Sequence, residues 1–447
     1  MLPLTPLGLA LLSTALLAIL CVPRRWAPVP LLVVACYMTL AQGVILGPFN
    51  FFAIRLVILA GLIRIFIRGE YHGMPRSPLD SLMVVWSLWA LMSSGFRSDP
   101  AATLTFNGGL VYNTMGVYIL LRVFCRSTAE VVFLCRILAW MLVPVALAMA
   151  YEKLAARNLF SVLGGVPEVP DIREGRIRAQ GPFAHAILAG TVGSVVLPLF
   201  LGLWSRYRGT AMVGALASVT MVVASGSSGP IMSSMFATLG LLLWPMRHHV
   251  RALRWTAVVV YGLLMVVMTS PPYYLIARID LTGGSTGWHR ARLIESSMEH
   301  FGEWWIAGTD YTRHWMPTGV PWSPNHTDIT NHYLMLGVQG GLLLLLLFVL
   351  LLATGFSIVG RLVQSSQKVQ PGHAFFCWAM GSSLFAHATT AFSVAYTDQS
   401  FVFLYLTLAM IAGLGASRLA DSALRRGLTP HNRAVLLVQR RPQPLEP

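Results

Sequence analysis

The sequence predicts an all-α integral membrane protein with about 12–13 transmembrane helices. It is 55% hydrophobic and only 11% charged over 447 residues, whereas a soluble domain carries about 25% charged residues. Apolar runs of spanning length recur along the chain, and each is expected to be helical because lipid offers the backbone no hydrogen-bond partner. The runs cover residues 4–22, 29–47, 49–67, 79–95, 104–123, 131–151, 182–204, 210–226, 229–246, 253–270, 332–359, 374–395 and 400–417.

Basic residues predict how these helices are oriented. Every second connection carries arginine, whereas the short connections near Gly47, Ser227 and Asp398 carry none and the one near Ser98 has only Arg97. Basic loops stay in the cytoplasm, so we expect the N-terminus outside and the C-terminus inside. The basic residues of the cytoplasmic connections and tail are Arg24, Arg25, Arg68, Arg76, Arg122, Arg126, Arg206, Arg208, Arg247, Arg251, Arg254, Arg361, Lys368, Arg418, Arg425, Arg426, Arg433, Arg440 and Arg441.

Two long loops are then left outside the membrane. Loop A covers residues 152–181, and loop B covers residues 271–331, far beyond the usual connection of about 2–8 residues. Loop B is dense in aromatic residues, among them Trp304, Trp315 and Trp322, which argues against disorder. The predicted remainder consists of N-terminal helices (1–151), central helices (182–270), C-terminal helices (332–417) and a basic cytoplasmic tail (418–447).

The composition also argues against several classes of protein. The net charge of +15 is spread between apolar runs rather than gathered in one patch, so we expect no nucleic-acid partner. The cysteines lie in or beside apolar runs, with no CxxC pair and none in the long loops. A disulfide framework and a thiolate zinc site are therefore not expected. Because no basic region precedes it, the first run is expected to be a retained helix and not a cleaved signal peptide.

Arginines in the external loops are exceptions to the rule that basic residues stay on the cytoplasmic side. Each of them therefore needs a local explanation. A guanidinium presents a planar fork of donors that keeps its charge, which suits a diphosphate at the membrane surface. The alternative is pairing with acidic residues of the same loops. Candidates for substrate binding are Arg176, Arg178, Arg290, Arg313 and, at the start of the helix after loop A, His185.

The end of loop B holds the candidate catalytic residues His326, Asp328 and His332. A histidine or carboxylate there could take the proton of an attacking sugar hydroxyl, with Asp328 orienting His326. Alternatively, Asn325 and Asp328 cap the next helix and His332 is an interfacial residue. No metal site is predicted, since no cysteine or further histidine clusters with them.

Besides His185, several polar residues fall inside predicted membrane segments. Arg55, Arg136 and His387 are expected to face the bundle interior, because charge is costly in lipid. Arg64 is expected to extend to the cytoplasmic edge.

The order of these motifs resembles the O-antigen ligase and O-antigen polymerase family of bacterial inner-membrane proteins. Loop A ends in RAQGPFAHAILAG, a short turn reads SGSSGP, and loop B ends in DITNHYLMLGVQGGL. The resemblance covers about residues 150–360. It implies a metal-independent, inverting glycosyltransferase of the multi-helix (GT-C-like) class, without a cofactor, in the bacterial inner membrane with both long loops periplasmic.

The resemblance further implies an undecaprenyl-diphosphate-linked glycan donor and a glycan or lipid acceptor, in the synthesis of surface polysaccharide. By motif position, Arg178 and Arg290 match the arginines that hold the diphosphate. Two departures indicate a divergent branch, for which exopolysaccharide rather than lipopolysaccharide is the expected product. Thr330 precedes Asn331 where many members have histidine, and Ser228 replaces a basic residue in the SGSSGP turn.

Two other classes of function stay open on the sequence. A transporter or lipid-carrier flippase would use the intramembrane polar residues instead. A scaffold of a polysaccharide assembly complex would need no catalytic residues at all. Ligase and polymerase share their donor chemistry, and the sequence does not separate them.

Overall fold

The computed structural model describes residues 4–40, 42–47, 49–279, 281, 287–321, 323–366 and 370–427. The chain is mostly helical, at 73%, and three short antiparallel hairpins interrupt the helices. Trp322, Lys368 and the predicted tail beyond residue 427 lie outside the described residues. The helices are α1 Pro6–Cys21, α2 Val29–Tyr37, α3 Ala53–Ile67, α4 Pro78–Met92, α5 Pro100–Phe124, α6 Thr128–Ala155, α7 Ala186–Leu201, α8 Arg208–Ala224, α9 Ser228–Leu242, α10 Val250–Val267, α11 Gly287–Glu299, α12 Phe301–Trp304, α13 His332–Ser366, α14 Pro371–Thr390 and α15 Phe401–Gly427. The strands are β1 Gly43–Leu46, β2 Phe49–Phe52, β3 Asp171–Arg173, β4 Arg176–Arg178, β5 Gly319–Val320 and β6 Ser323–Thr327.

Five helical stretches in the described ranges are long and apolar enough to cross a membrane. They are Pro78–Phe96, Thr128–Ala155, Trp244–Val267, His332–Ser366 and Phe401–Leu419. Four further apolar helices, α1, α7, α8 and α9, are shorter than 18 residues, a rise of about 22–26 Å against a hydrocarbon core of about 30 Å. The class predicted from the apolar runs is therefore confirmed at the level of membrane-spanning helices. The full count of 12–13 stays a prediction.

The predicted span over 29–47 is wrong in its second half. The helix there, α2, ends at Tyr37, and the chain continues into the β1–β2 hairpin. Gly47 has φ +59°, which glycine adopts at low cost in the tight turn of this hairpin. Gln42 anchors the hairpin, because its buried side chain accepts from the Thr5 backbone N–H at 3.0 Å and donates to the Leu163 carbonyl.

The short connections predicted to be external meet the two long loops. Ser227 contacts Arg178 of loop A, Ser98 contacts Asp310 of loop B, and the Asp398 carboxylate accepts from the Ala184 N–H at 3.1 Å. These contacts place the connections and loops at one end of the helix bundle, as the alternation of basic residues requires. The side of the membrane that this end faces stays a prediction.

Loop B docks on a kink in α13. Gly340 and Gly341 depart from helical geometry there, with φ +78° at Gly341. The freed Leu342 N–H donates to the Trp305 carbonyl at 2.8 Å. A Cβ on Gly341 would lie 2.3 Å from the carbonyl oxygen of Ile306, so this close approach requires glycine. The kink thereby fixes the position of loop B against the bundle.

An ion pair anchors loop B to the helix bundle at a second position. Arg97, before α5, contacts Asp310 at 2.7 Å and donates to the Val338 carbonyl at 2.9 Å. Burial lowers the pKa of Arg97, but a guanidinium stays protonated at neutral pH. Burial alone would raise the pKa of Asp310, yet the hydrogen bonds from Ser98 and the charge of Arg97 lower it. The pair is therefore ionic at neutral pH.

We expect Asp310→Asn to loosen loop B, because the Arg97 side chain, only 7% exposed, would lose its countercharge. Hydrogen exchange of residues 305–312 should become faster, while Glu299→Gln, a surface change in the same loop, should leave it unchanged. In the unmodified protein the contribution of Asp310 is present above its ordinary pKa of 3.8. It is lost only as the pH falls through the lower folded-state value. Unaltered exchange in Asp310→Asn would show that the ion pair does not hold the loop.

Candidate substrate-binding site

Arg178 is positioned by the β3–β4 hairpin of loop A. The turn uses Glu174 and Gly175, both with positive φ, and the register places Asp171 directly opposite Arg178. The two side chains form an ion pair at 3.0 Å. Arg178 is only 7% exposed, whereas the Asp171 side chain is 56% exposed. The acid therefore neutralises one edge of the guanidinium from the solvent side and does not enclose it.

The SGSSGP turn between α8 and α9 receives the rest of this guanidinium. Nε and one terminal nitrogen of Arg178 donate to Ser227 Oγ at 3.2 and 2.7 Å. The Ser227 hydroxyl in turn donates to the Ser225 carbonyl at 3.0 Å, so its oxygen is oriented to accept. Gly226, at φ +56°, leaves room for the Lys153 ammonium group beside this turn. A Cβ on Gly226 would lie 3.3 Å from Lys153 Nζ.

Arg290 reaches the same turn from loop B. It lies in the first turns of α11 and is 7% exposed. Its Nε donates to the Ser393 carbonyl at 3.1 Å, and one terminal nitrogen lies 4.0 Å from the position that a Cβ on Gly229 would take. Within the described ranges, the terminal nitrogens of Arg290 have no hydrogen-bond acceptor. The two arginines predicted to hold a diphosphate thus flank a single turn, at Ser227 and Gly229.

The electrostatics of this pair favour an anion between them. Burial lowers the pKa of Arg290, the charges of Arg173 and Arg178 lower it further, and Asp328 only partly opposes them. Burial also lowers the pKa of Arg178, followed by repulsion from Arg173, against the attraction of Asp171. Buried cations that repel one another are costly unless an opposite charge is bound. The site therefore concentrates positive charge that a bound anion would offset.

Glu152, which the sequence analysis did not single out, holds the backbone that follows Arg178. Its carboxylate is fully buried and accepts the backbone N–H groups of Gln180 and Gly181 at 3.0 and 2.8 Å. This fixes the start of the G-P-F turn relative to α6. A lone acid at the end of an apolar run was the available sequence signal.

The other predicted binding residues are not part of the arrangement around Arg178 and Arg290. Arg176 is exposed on the hairpin. Arg313 donates to the carbonyls of Met316 and Pro317 at 2.7 and 3.2 Å, so it braces its own turn. His185 is exposed and precedes α7. The structure brings none of these three into contact with Arg178 or Arg290.

The three predicted catalytic side chains occupy separate environments. His326 Nδ1 bonds to Ser323 Oγ at 2.7 Å, and no hydrogen bond joins it to Asp328. His332 is buried and packs edge-on against Phe348, with ring centroids 5.1 Å apart. Asp328 is exposed and contributes electrostatically to Arg290. The expected orientation of His326 by Asp328 is therefore wrong, since Ser323 takes that role.

His326 is the solvent-accessible imidazole of this set. It is half-buried, and burial lowers its pKa below the ordinary value, although Asp310 partly opposes the effect. Its ring is therefore neutral at neutral pH and able to accept a proton. Its role as the catalytic base stays a prediction.

His289 is a residue that the sequence analysis passed over. It directly precedes Arg290, and its Nε2 lies 3.0 Å from the Asp328 carbonyl. A carbonyl only accepts, so Nε2 carries the proton and Nδ1 is left as an acceptor. This contact ties the start of α11 to the segment that follows His326. Its position in the sequence GWHRARL was the only available signal.

The polar residues of the membrane segments contact other parts of the protein, although Arg136 Nε and His387 Nε2 are buried without a hydrogen-bond partner among the residues that the structure describes. Arg55 donates to Asn113 at 2.9 Å, Arg136 stacks over the Tyr207 ring at 4.1 Å, and His387 bonds to the Tyr396 hydroxyl at 2.8 Å. Arg64 reaches the ends of α1 and α3 as expected, but it is buried there, where it pairs with Glu70 at 2.9 Å and donates to the Ile19 and Val22 carbonyls. Free carbonyls at a helix C-terminus attract a cation.

No known family model matches this chain, and comparison with curated proteins finds no significant match. The resemblance described above therefore rests on the order of its motifs.

Proposed function

We propose that this protein is a membrane glycosyltransferase that ligates or polymerises glycan from an undecaprenyl-diphosphate-linked donor. The observation that carries the proposal is Arg290, a buried guanidinium whose terminal nitrogens have no acceptor among the described residues. It lies across the SGSSGP turn from Arg178. A polyprenyl diphosphate is an anion held at the membrane surface, which matches a site where loops meet helices.

The two arginines would stabilise the leaving group. In the reaction, the acceptor oxygen bonds to the anomeric carbon while the bond from that carbon to the diphosphate oxygen breaks. The lipid diphosphate leaves with the electron pair and gains negative charge in the transition state. Positioned, desolvated donors stabilise such charge without having to reorganise. Arg290 would supply two free N–H edges, and Arg178, oriented by Ser227 and Asp171, would supply charge.

His326 is the proposed acceptor of the hydroxyl proton. Its neutral ring suits a general base near neutral pH, and the Ser323 hydroxyl holds its Nδ1. This leaves Nε2 as the nitrogen that would take the proton. His332 is left out of the mechanism because it is fully buried among aromatic rings.

In surface polysaccharide synthesis the protein would lie in the bacterial inner membrane, with loops A and B in the periplasm. The intramembrane arginines support this reading over a transporter, because Arg55 and Arg136 are engaged by neighbouring side chains. Ligase and polymerase are distinguished by the glycan profile of a deletion strain. Full-length glycan retained on the lipid carrier indicates a ligase, and loss of long chains indicates a polymerase.

Arg178→Ala tests the proposal directly. We expect glycan transfer to fall about 10–100-fold, the range for losing a charged hydrogen bond of about 1.5–3 kcal/mol. The effect stays moderate because Asp171 already offsets part of the charge. Transfer is measured with purified protein in lipid nanodiscs and a lipid-linked donor.

Arg157→Ala is the matched control for Arg178→Ala. It lies in the same loop, and its ion pair with Glu168 is solvent-exposed on both sides, at 63% and 59%. Exposed pairs contribute little, so this variant should retain normal transfer. Equal activity of the two variants would remove Arg178 from the proposed clamp.

A further inference from the structure

A second cluster of polar side chains lies in loop B, at the opposite end of α11 from Arg290. His300, Glu303 and His314 each present one ligand atom, and these atoms lie within 4.8 Å of one another. His300 and Glu303 come from the junction of α11 and α12, and His314 comes from the turn Arg313–Trp315. Two imidazoles and a carboxylate form a ligand set that zinc uses in proteins.

The ring of His300 has one nitrogen committed and one available. Its Nδ1 lies 2.8 Å from the Ser296 carbonyl, which only accepts, so Nδ1 carries the proton. Nε2 is then unprotonated in the neutral ring, and it has no hydrogen-bond partner in the described part of the chain. A backbone carbonyl on the distal nitrogen is the usual way in which a metal-binding histidine is oriented.

Contacts with two side chains orient the carboxylate of Glu303. One oxygen accepts from the Trp315 indole N–H at 2.9 Å, and the other lies 2.9 Å from His314 Nε2. Trp315 is only 3% exposed and stacks on His300 with ring centroids 5.8 Å apart. The ligands thus stand on a small buried core, so they need little ordering when a metal binds.

We propose that His300, Glu303 and His314 bind a divalent transition-metal ion, with zinc as the best match, at a site within loop B. Ligands of tetrahedral zinc lie about 3.3 Å apart at bond lengths of 2.0–2.1 Å. Small rotations of the partly exposed side chains achieve this from the present spacing. The ion would replace the contact between His314 and Glu303 and leave a fourth position for water.

A bound metal would crosslink two segments of loop B. It would join the end of α11 to the turn at Arg313–Trp315. Arg290 lies on the same helix ten residues before His300, a rise of about 15 Å. The metal would therefore stiffen the helix that carries Arg290 without touching the proposed substrate.

Metal titration of the full-length, tag-free protein in detergent tests this proposal after removal of metals by a chelator. We expect one zinc ion per chain by calorimetry, and visible absorption of tetrahedral Co²⁺ when cobalt is the probe. Glu303→Gln should weaken binding at least about tenfold, because it keeps the contact with Trp315 but removes the charge. His300→Ala should do the same.

Glu299→Gln is the control, since it removes an exposed carboxylate one residue before His300 and should bind zinc normally. Two results would overturn the proposal. One is the absence of stoichiometric binding by the unmodified protein. The other is binding that survives both Glu303→Gln and His300→Ala with unchanged affinity, which would place the metal elsewhere.

Discussion

Replacement of Arg290 by alanine is expected to reduce glycan transfer by at least about 100-fold, the range for removing one positioned donor to a developing negative charge. Arg290 is 7% exposed, and its terminal nitrogens have no acceptor among the described residues. Arg178 is already committed to Asp171 and Ser227, so we do not expect it to replace the lost donors. The measurement is the rate of product formation from a lipid-linked donor in nanodiscs.

Two further variants separate charge from geometry. Arg290→Lys retains a positive charge but not the planar fork, so we expect most of the loss to remain. Arg292→Ala is the control on the same helix, where the side chain pairs with Glu295 and Glu299 at the surface. It should retain near-normal transfer. Full activity of Arg290→Ala in folded, inserted protein would rule out the proposed leaving-group clamp.

Replacement of His326 by alanine is expected to lower kcat by about 100-fold or more, the usual contribution of a general base. Burial holds the pKa of His326 below 6.5, so the base is neutral at pH 7 and becomes protonated only in more acidic solution. The transfer rate of the unmodified protein should therefore fall with decreasing pH below 6.5. The alanine variant should lack this acidic limb.

Ser323→Ala provides the comparison for His326→Ala. It removes the hydroxyl at Nδ1 while keeping the imidazole, so a smaller loss and a retained acidic limb are expected. His72→Ala, an exposed histidine in the turn between α3 and α4, should change neither quantity. A pH profile in His326→Ala identical to that of the unmodified protein would assign the base elsewhere.

The sequence predicted most helices because lipid forces an apolar run to satisfy its own backbone. That rule fails over residues 38–47, where apolar residues form part of a hairpin. The hairpin depends on the positive φ of Gly47 and on contacts of Gln42 with Thr5 and Leu163. The contact with Leu163 is distant in sequence, so no local pattern could reveal it.

The sequence identified individual residues of the site but not how they come together. Arginine on the wrong side of the orientation rule singled out Arg178 and Arg290, but their meeting at the SGSSGP turn depends on packing between both loops and the bundle. The same limit applied to Glu152, whose partners Gln180 and Gly181 lie 28 and 29 residues away. The burial of His332 was equally hidden, because only the fold places Phe348 and Tyr396 around its ring.

Binding of undecaprenyl diphosphate to purified protein in nanodiscs tests the central claim most directly, since it requires neither an acceptor nor a known sugar. The account predicts saturable binding by the unmodified protein and by Arg292→Ala. In Arg290→Ala the affinity should fall at least about tenfold, as for loss of a charged hydrogen bond. Equal affinity of Arg290→Ala and the unmodified protein would contradict it.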